Sequence, residues 1–146
     1  MQPQVHETAQ LGQRVFIGPH TTVYEHCRLD DDVHLGCSVV VQRGSHLMRG
    51  VVIGEHSWVG ENVIIPAHKR IGTHARIMHD VTDLHDVGVA NGLRYIVASV
   101  KGRAYIGFGH EWLPLKDAIT RTNNTAHAAI LLQCAAQIAT ALQWHP

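Results

Sequence analysis

Along the first half of the chain, a large aliphatic residue recurs at every sixth position. From Val5 the series runs Leu11, Ile17, Val23, Leu29, Leu35, Val41, Leu47, Ile53, Val59, Ile65, Ile71 and Ile77, without insertion or deletion. Two residues before most of them stands a small or β-branched side chain, as at Val15, Thr21, Cys27, Val33, Ser45, Ser57 and Ala75. Glycine often follows directly, at Gly12, Gly18, Gly36, Gly54, Gly60 and Gly72. A period of six fits neither a helix nor simple strand alternation; it predicts a short strand and a turn in each unit. The aliphatic residue points inward beside its smaller neighbour, and the glycine is expected to supply the unusual backbone angles of the turn. Three units close one triangular coil, and coils stack at the sheet spacing of roughly 4.8 Å. Residues 5–82 therefore predict a parallel β-helix of about four coils, roughly 20 Å tall.

The series fails at Asp83, where an aliphatic residue is due. Leu93–Val100 and Ala104–Phe108 read as two strands joined by the Lys101-Gly102-Arg103 turn. Such a hairpin over 93–108 would cover the open end of the prism and its unpaired backbone groups. Pro114 marks a break, and Asn123, Asn124 and Thr125 are cap-type residues ahead of an Ala-rich helix over about 125–144. Ile130, Cys134, Ile138 and Leu142 recur at four-residue steps and are expected to face the core. The expected organisation is an all-β repeat region over 1–83 and a C-terminal extension over 84–146, the hairpin and helix, packed on the prism.

Charge removes some function classes. The 146 residues carry 12 basic and 12 acidic side chains, so no basic footprint suggests nucleic acid or an anionic membrane. No apolar run reaches the length of a membrane-spanning helix, and Met1–Gln10 lacks the apolar stretch of a signal peptide. Three cysteines, Cys27, Cys37 and Cys134, fit no zinc-knuckle spacing and suggest a cytoplasmic protein with reduced thiols. Thirteen histidines offer many sites for proton transfer or metal binding. Neither a dinucleotide fingerprint nor a phosphate loop occurs.

Residues 50–77, GVVIGEHSWVGENVIIPAHKRIGTHARI, resemble the most regular stretch of the hexapeptide-repeat acyltransferases. Ile53-Gly54, Trp58-Val59-Gly60, Asn62, Ile65-Pro66 and Ile71-Gly72 match that family's pattern, with Ala67 in place of a glycine. The resemblance implies a left-handed β-helix, against the general preference for right-handed crossovers. It also implies a homotrimer, which would bury flat prism faces that a small core leaves exposed. Trp58 and Asn62, the matched positions least required by folding, would shape a cleft between subunits.

A second, shorter match carries more chemistry. Ile77-Met78-His79-Asp80 resembles the aliphatic-x-His-Asp segment of acyltransferases acting on nucleotide sugars or sialic acid. It implies acyl or acetyl transfer from acetyl-CoA or another thioester to a small hydroxyl or amine acceptor. His79 would be the general base, and Asp80 would fix the tautomer of its ring. Met78–Val87, MHDVTDLHDV, does not match the segment with which that family touches its donor. Two alternatives stay open. The γ-type carbonic anhydrases share the prism and bind zinc between subunits, but their histidine positions fall here on Thr73 and Met78. A different zinc site could use His56 and His74, one coil apart on the same edge, with His20 two coils from His56 and a ligand from a neighbouring chain. The other alternative is a non-catalytic trimeric scaffold.

Overall fold

The computed structural model describes residues 2–121 and 125–145. Within these, each repeat unit from the first to Ile77 forms one two-residue strand whose second member is the predicted aliphatic. The strands stack into three parallel sheets. One face carries Gln4–Val5, Thr22–Val23, Val40–Val41, Trp58–Val59 and Arg76–Ile77. The other two faces carry four strands each, so the solenoid has about four coils, consistent with the left-handed β-helix implied by the family resemblance.

The interior follows the period closely. Leu29, Leu35, Val41, Leu47, Ile53, Val59 and Ile65 are completely buried, as is Ile77, and Ile71 is only 3% exposed. The small residues two positions earlier are buried too from Thr21 onward, and where they are polar they tie coils together. Thr21 Oγ donates to the Gly36 carbonyl at 2.7 Å and accepts the Val39 amide at 3.1 Å. Ser45 repeats this between Gly60 and Val63, and Ser57 between Gly72 and Ala75. A buried hydroxyl is tolerable here because both its donor and its acceptor roles are filled.

The turn chemistry differs from the expectation. The left-handed residue lies three positions after each aliphatic, not one. Twelve successive units, from Arg14 to Asp80, have φ between 56° and 74° there. Only Gly44 and Gly50 are glycines; His20, His26, His56, His68 and His74 account for five of the thirteen histidines. Asn, Asp and His are the non-glycine residues that enter this region most readily, which accounts for much of the unusual histidine content. The glycines directly after the aliphatics serve another purpose. A Cβ on Gly54 would stand 2.6 Å from the Gly72 carbonyl carbon, and one on Gly60 would stand 2.8 Å from the His79 amide. They let one coil settle on the next.

The prism is closed by more than the hairpin predicted over 93–108. Val81–Ala90, Leu93–Val100, Arg103–Phe108 and Glu111–Pro114 form a four-stranded antiparallel sheet. Its first strand starts four residues after the last prism strand. Leu84, Ile96 and Ala98 extend the prism's core directly. Arg94 secures the junction: its guanidinium bonds Asp86 at 2.7 Å and the Thr73 carbonyl at 2.7 Å, while Asp86 accepts the Gly72 amide at 2.8 Å.

Helix α1 (Leu115–Ile119) and helix α2 (Ala126–Ala141) cover the other side of this sheet, with Ala90, Tyr95, Val97 and Ile106. Thr125 caps α2, its Oγ accepting the Ala128 amide; the cap candidates Asn123 and Asn124 lie outside the described residues. The expected core stripe of α2 is corrected. Ala128, Leu131, Leu132, Ala135 and Ala139 face inward, whereas Ile130 is 58% and Leu142 43% exposed and Cys134 lies on the surface. Of that stripe only Ile138 packs against the core, because the inward face is built from Leu131 and Leu132 with small alanines that let the helix approach the sheet closely. No helix among the described residues is long and apolar enough to cross a membrane.

Candidate functional site

The last coil places His79 at the top of the prism. Its backbone rests on Gly60, and its ring is turned down, so that Nδ1 accepts the Glu61 amide at 2.7 Å. The same bond recurs elsewhere: the Asp31 carboxylate accepts the Gln13 amide from the same repeat position, one coil above. The ring meets the edge of Trp58 at 5.6 Å, and the Arg76 guanidinium lies 5.3 Å from the center of that indole. Asp80 follows in the left-handed position, and its amide bonds the Glu61 carbonyl at 3.0 Å. The group bonded to His79 Nδ1 is therefore the Glu61 amide and not Asp80.

Across from this turn stands the end of the antiparallel sheet. His79, Asp80 and Met78 share an open concavity of about 450 Å³ with Val100, Lys101, Arg103 and Tyr105. The hairpin turn thus forms a wall of the space beside His79 without filling it. Two cations against one carboxylate suit an anionic group. Sequence reasoning did not single out Lys101, Arg103 or Tyr105, because only the antiparallel pairing of the sheet brings them to the last coil. A concavity of similar size, about 440 Å³, lies near the first coil beside Arg28, Asp30, Asp31 and Arg49 and contains none of the sequence candidates.

The other candidates are dispersed. Trp58 touches His79 but does not line the concavity. Asn62 occupies a left-handed turn position, with its carboxamide oxygen against Gly44 where a Cβ would be. His56 and His74 stack as predicted, ring centers 5.1 Å apart. His20 lies on the same edge with Ser38 between it and His56.

This repeat, its three parallel sheets and its buried aliphatic column decide the fold. The chain folds as a parallel β-helix on a six-residue repeat. No family model matches the sequence. Two curated rice proteins (Oryza sativa subsp. japonica), probable mannose-1-phosphate guanylyltransferases 3 and 2, are each 38% identical over 74 residues. That stretch is 50% of this chain and only 18% of either relative. Among solved structures, the acetyltransferase domain of PglB from Neisseria gonorrhoeae in complex with acetyl coenzyme A aligns with TM-score 0.41 and 17% identity. That alignment covers 57% of this chain and 54% of that one. A second structure of the same domain gives TM-score 0.38 and 20% identity over 64% and 53%.

Proposed function

We propose that the chain transfers an acyl group from a thioester donor of the acetyl-CoA kind to a small hydroxyl or amine acceptor, as a cytoplasmic homotrimer with its site at a groove between subunits. The carrying observation is the concavity that gathers His79 and Asp80 with Lys101, Arg103 and Tyr105. Lys101 and Arg103 suit the phosphates of such a donor, and His79, on the same concavity, supplies the base for the acceptor in this reading. The free thiols of Cys27, Cys37 and Cys134 accord with a reducing compartment.

The present geometry sets a condition on the chemistry. A neutral ring whose Nδ1 accepts the Glu61 amide carries its proton on Nε2. In that state Nε2 donates a hydrogen bond and cannot take a proton. To act as base, the ring gives up the Glu61 amide and moves its proton to Nδ1, where the neighboring Asp80 carboxylate holds it. Nε2 then accepts the acceptor's proton as its oxygen or nitrogen attacks the thioester carbon. The carbon–sulfur bond breaks, and the leaving thiolate takes the proton from Nε2, which returns the ring to its neutral state.

The test is a screen of acyl thioesters against hydroxyl and amine acceptors with purified parent and His79→Gln. Loss of a general base lowers turnover by roughly 10²–10⁴-fold, so the variant should be nearly inactive at an unchanged melting temperature. A variant as active as the parent overturns the assignment, as does an assembled structure with His79 facing bulk solvent away from every neighbor.

A further inference from the structure

One group of side chains on the prism belongs neither to the His79 concavity nor to the core. Cys37, Glu55 and His56 come from successive turns on one edge, and their sulfur, carboxylate and ring-nitrogen atoms all lie within 4.8 Å of one another. The repeat enforces the meeting. Cys37 and Glu55 occupy equivalent positions one coil apart, and the His56 amide bonds the Cys37 carbonyl at 3.0 Å. Beneath Glu55 sits Gly36, where a Cβ would stand 2.9 Å from the Glu55 amide and 3.0 Å from its Cγ. The absent side chain leaves room for Glu55 to lie against the edge. Cys37 is half-buried, while Glu55 and His56 are accessible. One coil further, His74 stacks on His56, and its amide bonds the Glu55 carbonyl at 2.9 Å.

We propose that this edge binds a borderline divalent transition metal of the Zn²⁺ kind through Cys37 Sγ, a Glu55 carboxylate oxygen and a His56 ring nitrogen, with water or His74 in the fourth place. The donor set makes the choice: sulfur, nitrogen and oxygen together suit zinc or cobalt, whereas calcium and magnesium take oxygen ligands. Ligand atoms around a tetrahedral zinc stand roughly 3.3–3.8 Å apart, given Zn–S and Zn–N lengths. Closing the set needs a contraction of about an ångström, within reach of rotation of the exposed Glu55 and His56 side chains. Every donor comes from one chain, so the site forms without a neighboring subunit. The metal-free Cys37 thiol is pushed above its ordinary pKa by burial and by the Glu55 carboxylate.

Cobalt titration of the full chain tests this with a readout independent of acyl transfer. One Co²⁺ per chain should bind with a sulfur-to-metal charge-transfer band, and Zn²⁺ should displace it. Cys37→Ser should abolish the band. His56→Asn, which keeps a residue suited to φ +60°, should weaken binding by roughly tenfold or more. Cys134→Ser should leave both unchanged, and all three variants should keep the parent's melting temperature. Absence of the band in the parent, its survival in Cys37→Ser, or unchanged affinity in His56→Asn overturns the proposal.

Discussion

Replacing Ile53 by alanine measures how far the prism interior behaves as a rigid column. Ile53 is fully buried, and its strand pairs with Leu35 below and Ile71 above. Losing three carbons removes roughly 2.4 kcal/mol of transfer free energy at about 0.8 per methylene. Each neighboring coil is held by backbone bonds such as Gly54 N to Ile71 O at 2.8 Å, so the walls cannot close over the gap. A residual void on the order of 70 Å³, at about 24 cal/mol per Å³, adds about 1.7 kcal/mol. The expected cost is about 4 kcal/mol. Leu11 provides the control. It holds the same position within its hexad in the first coil, on another face of the prism, but is 46% exposed. Its truncation should cost about 1 kcal/mol, since much of the side chain is already wet and no closed void forms. Urea unfolding followed by circular dichroism at fixed protein concentration reads both variants, and unchanged m-values would confirm that the same surface unfolds. Equal costs for Ile53→Ala and Leu11→Ala, or a cost below about 1 kcal/mol for Ile53→Ala, would refute the rigid-column argument.

The remaining predictions probe the turns, the junction and the assembly. Asn62→Val forces a β-branched residue to φ +56° and should destabilise by about 1–2 kcal/mol in chemical denaturation, whereas Asn62→Gly should be close to neutral. Arg94→Ala strands the Asp86 carboxylate, whose side chain is only 13% exposed, and should cost about 3 kcal/mol, with faster amide exchange over 81–100. His85 is held below its ordinary pKa by burial and then by the nearby Lys69 cation, against the opposing pull of Asp83. The neutral ring is thus favored in the fold, so this contribution to stability is intact above about pH 6.5 and falls away as pH drops below it. A His85→Gln variant should lose that part of the acid-side slope in melting temperature. Multi-angle light scattering should return three times the chain mass at micromolar concentration, and a monomer would remove the subunit groove from the functional reading.

Most of the prism was legible because one physical demand repeats. Each unit must bury one aliphatic residue, and Val23 through Ile77 show this without a missed beat. What the sequence concealed was the division of labor within the turn. Glycine after the aliphatic looked like a source of conformational freedom. At Gly54 and Gly60 it is a matter of clearance, and the left-handed residue two places later is more often histidine, aspartate or asparagine. Helix α2 was misjudged for a related reason. A strict four-residue step selected Ile130 and Leu142, whereas the sheet accepted Leu131 and Leu132 with the small Ala128, Ala135 and Ala139. The candidate site was half legible. His79 and Asp80 share one turn and so could be found together, but Lys101, Arg103 and Tyr105 arrive by long-range antiparallel pairing, which no local spacing reports. The Cys37, Glu55 and His56 group needed the coil length and Gly36 together.

The bonds that span eighteen residues, such as Glu61 N to His79 Nδ1 and Val63 N to Ser45 Oγ, give the prism a unit of growth. A single extra residue within a hexad acts like a frameshift in a reading frame. Every later aliphatic residue rotates off the axis, and the glycines that give clearance between coils, such as Gly54 and Gly60, fall out of place. Excision of one complete circuit does no such damage, because each remaining turn finds an equivalent one beneath it. Chains of this construction can therefore lengthen or shorten only in whole circuits. The distance between the exposed first coil and the sheet-capped last one is accordingly a stepped quantity, open to adjustment by genetic duplication while the cross-section stays fixed.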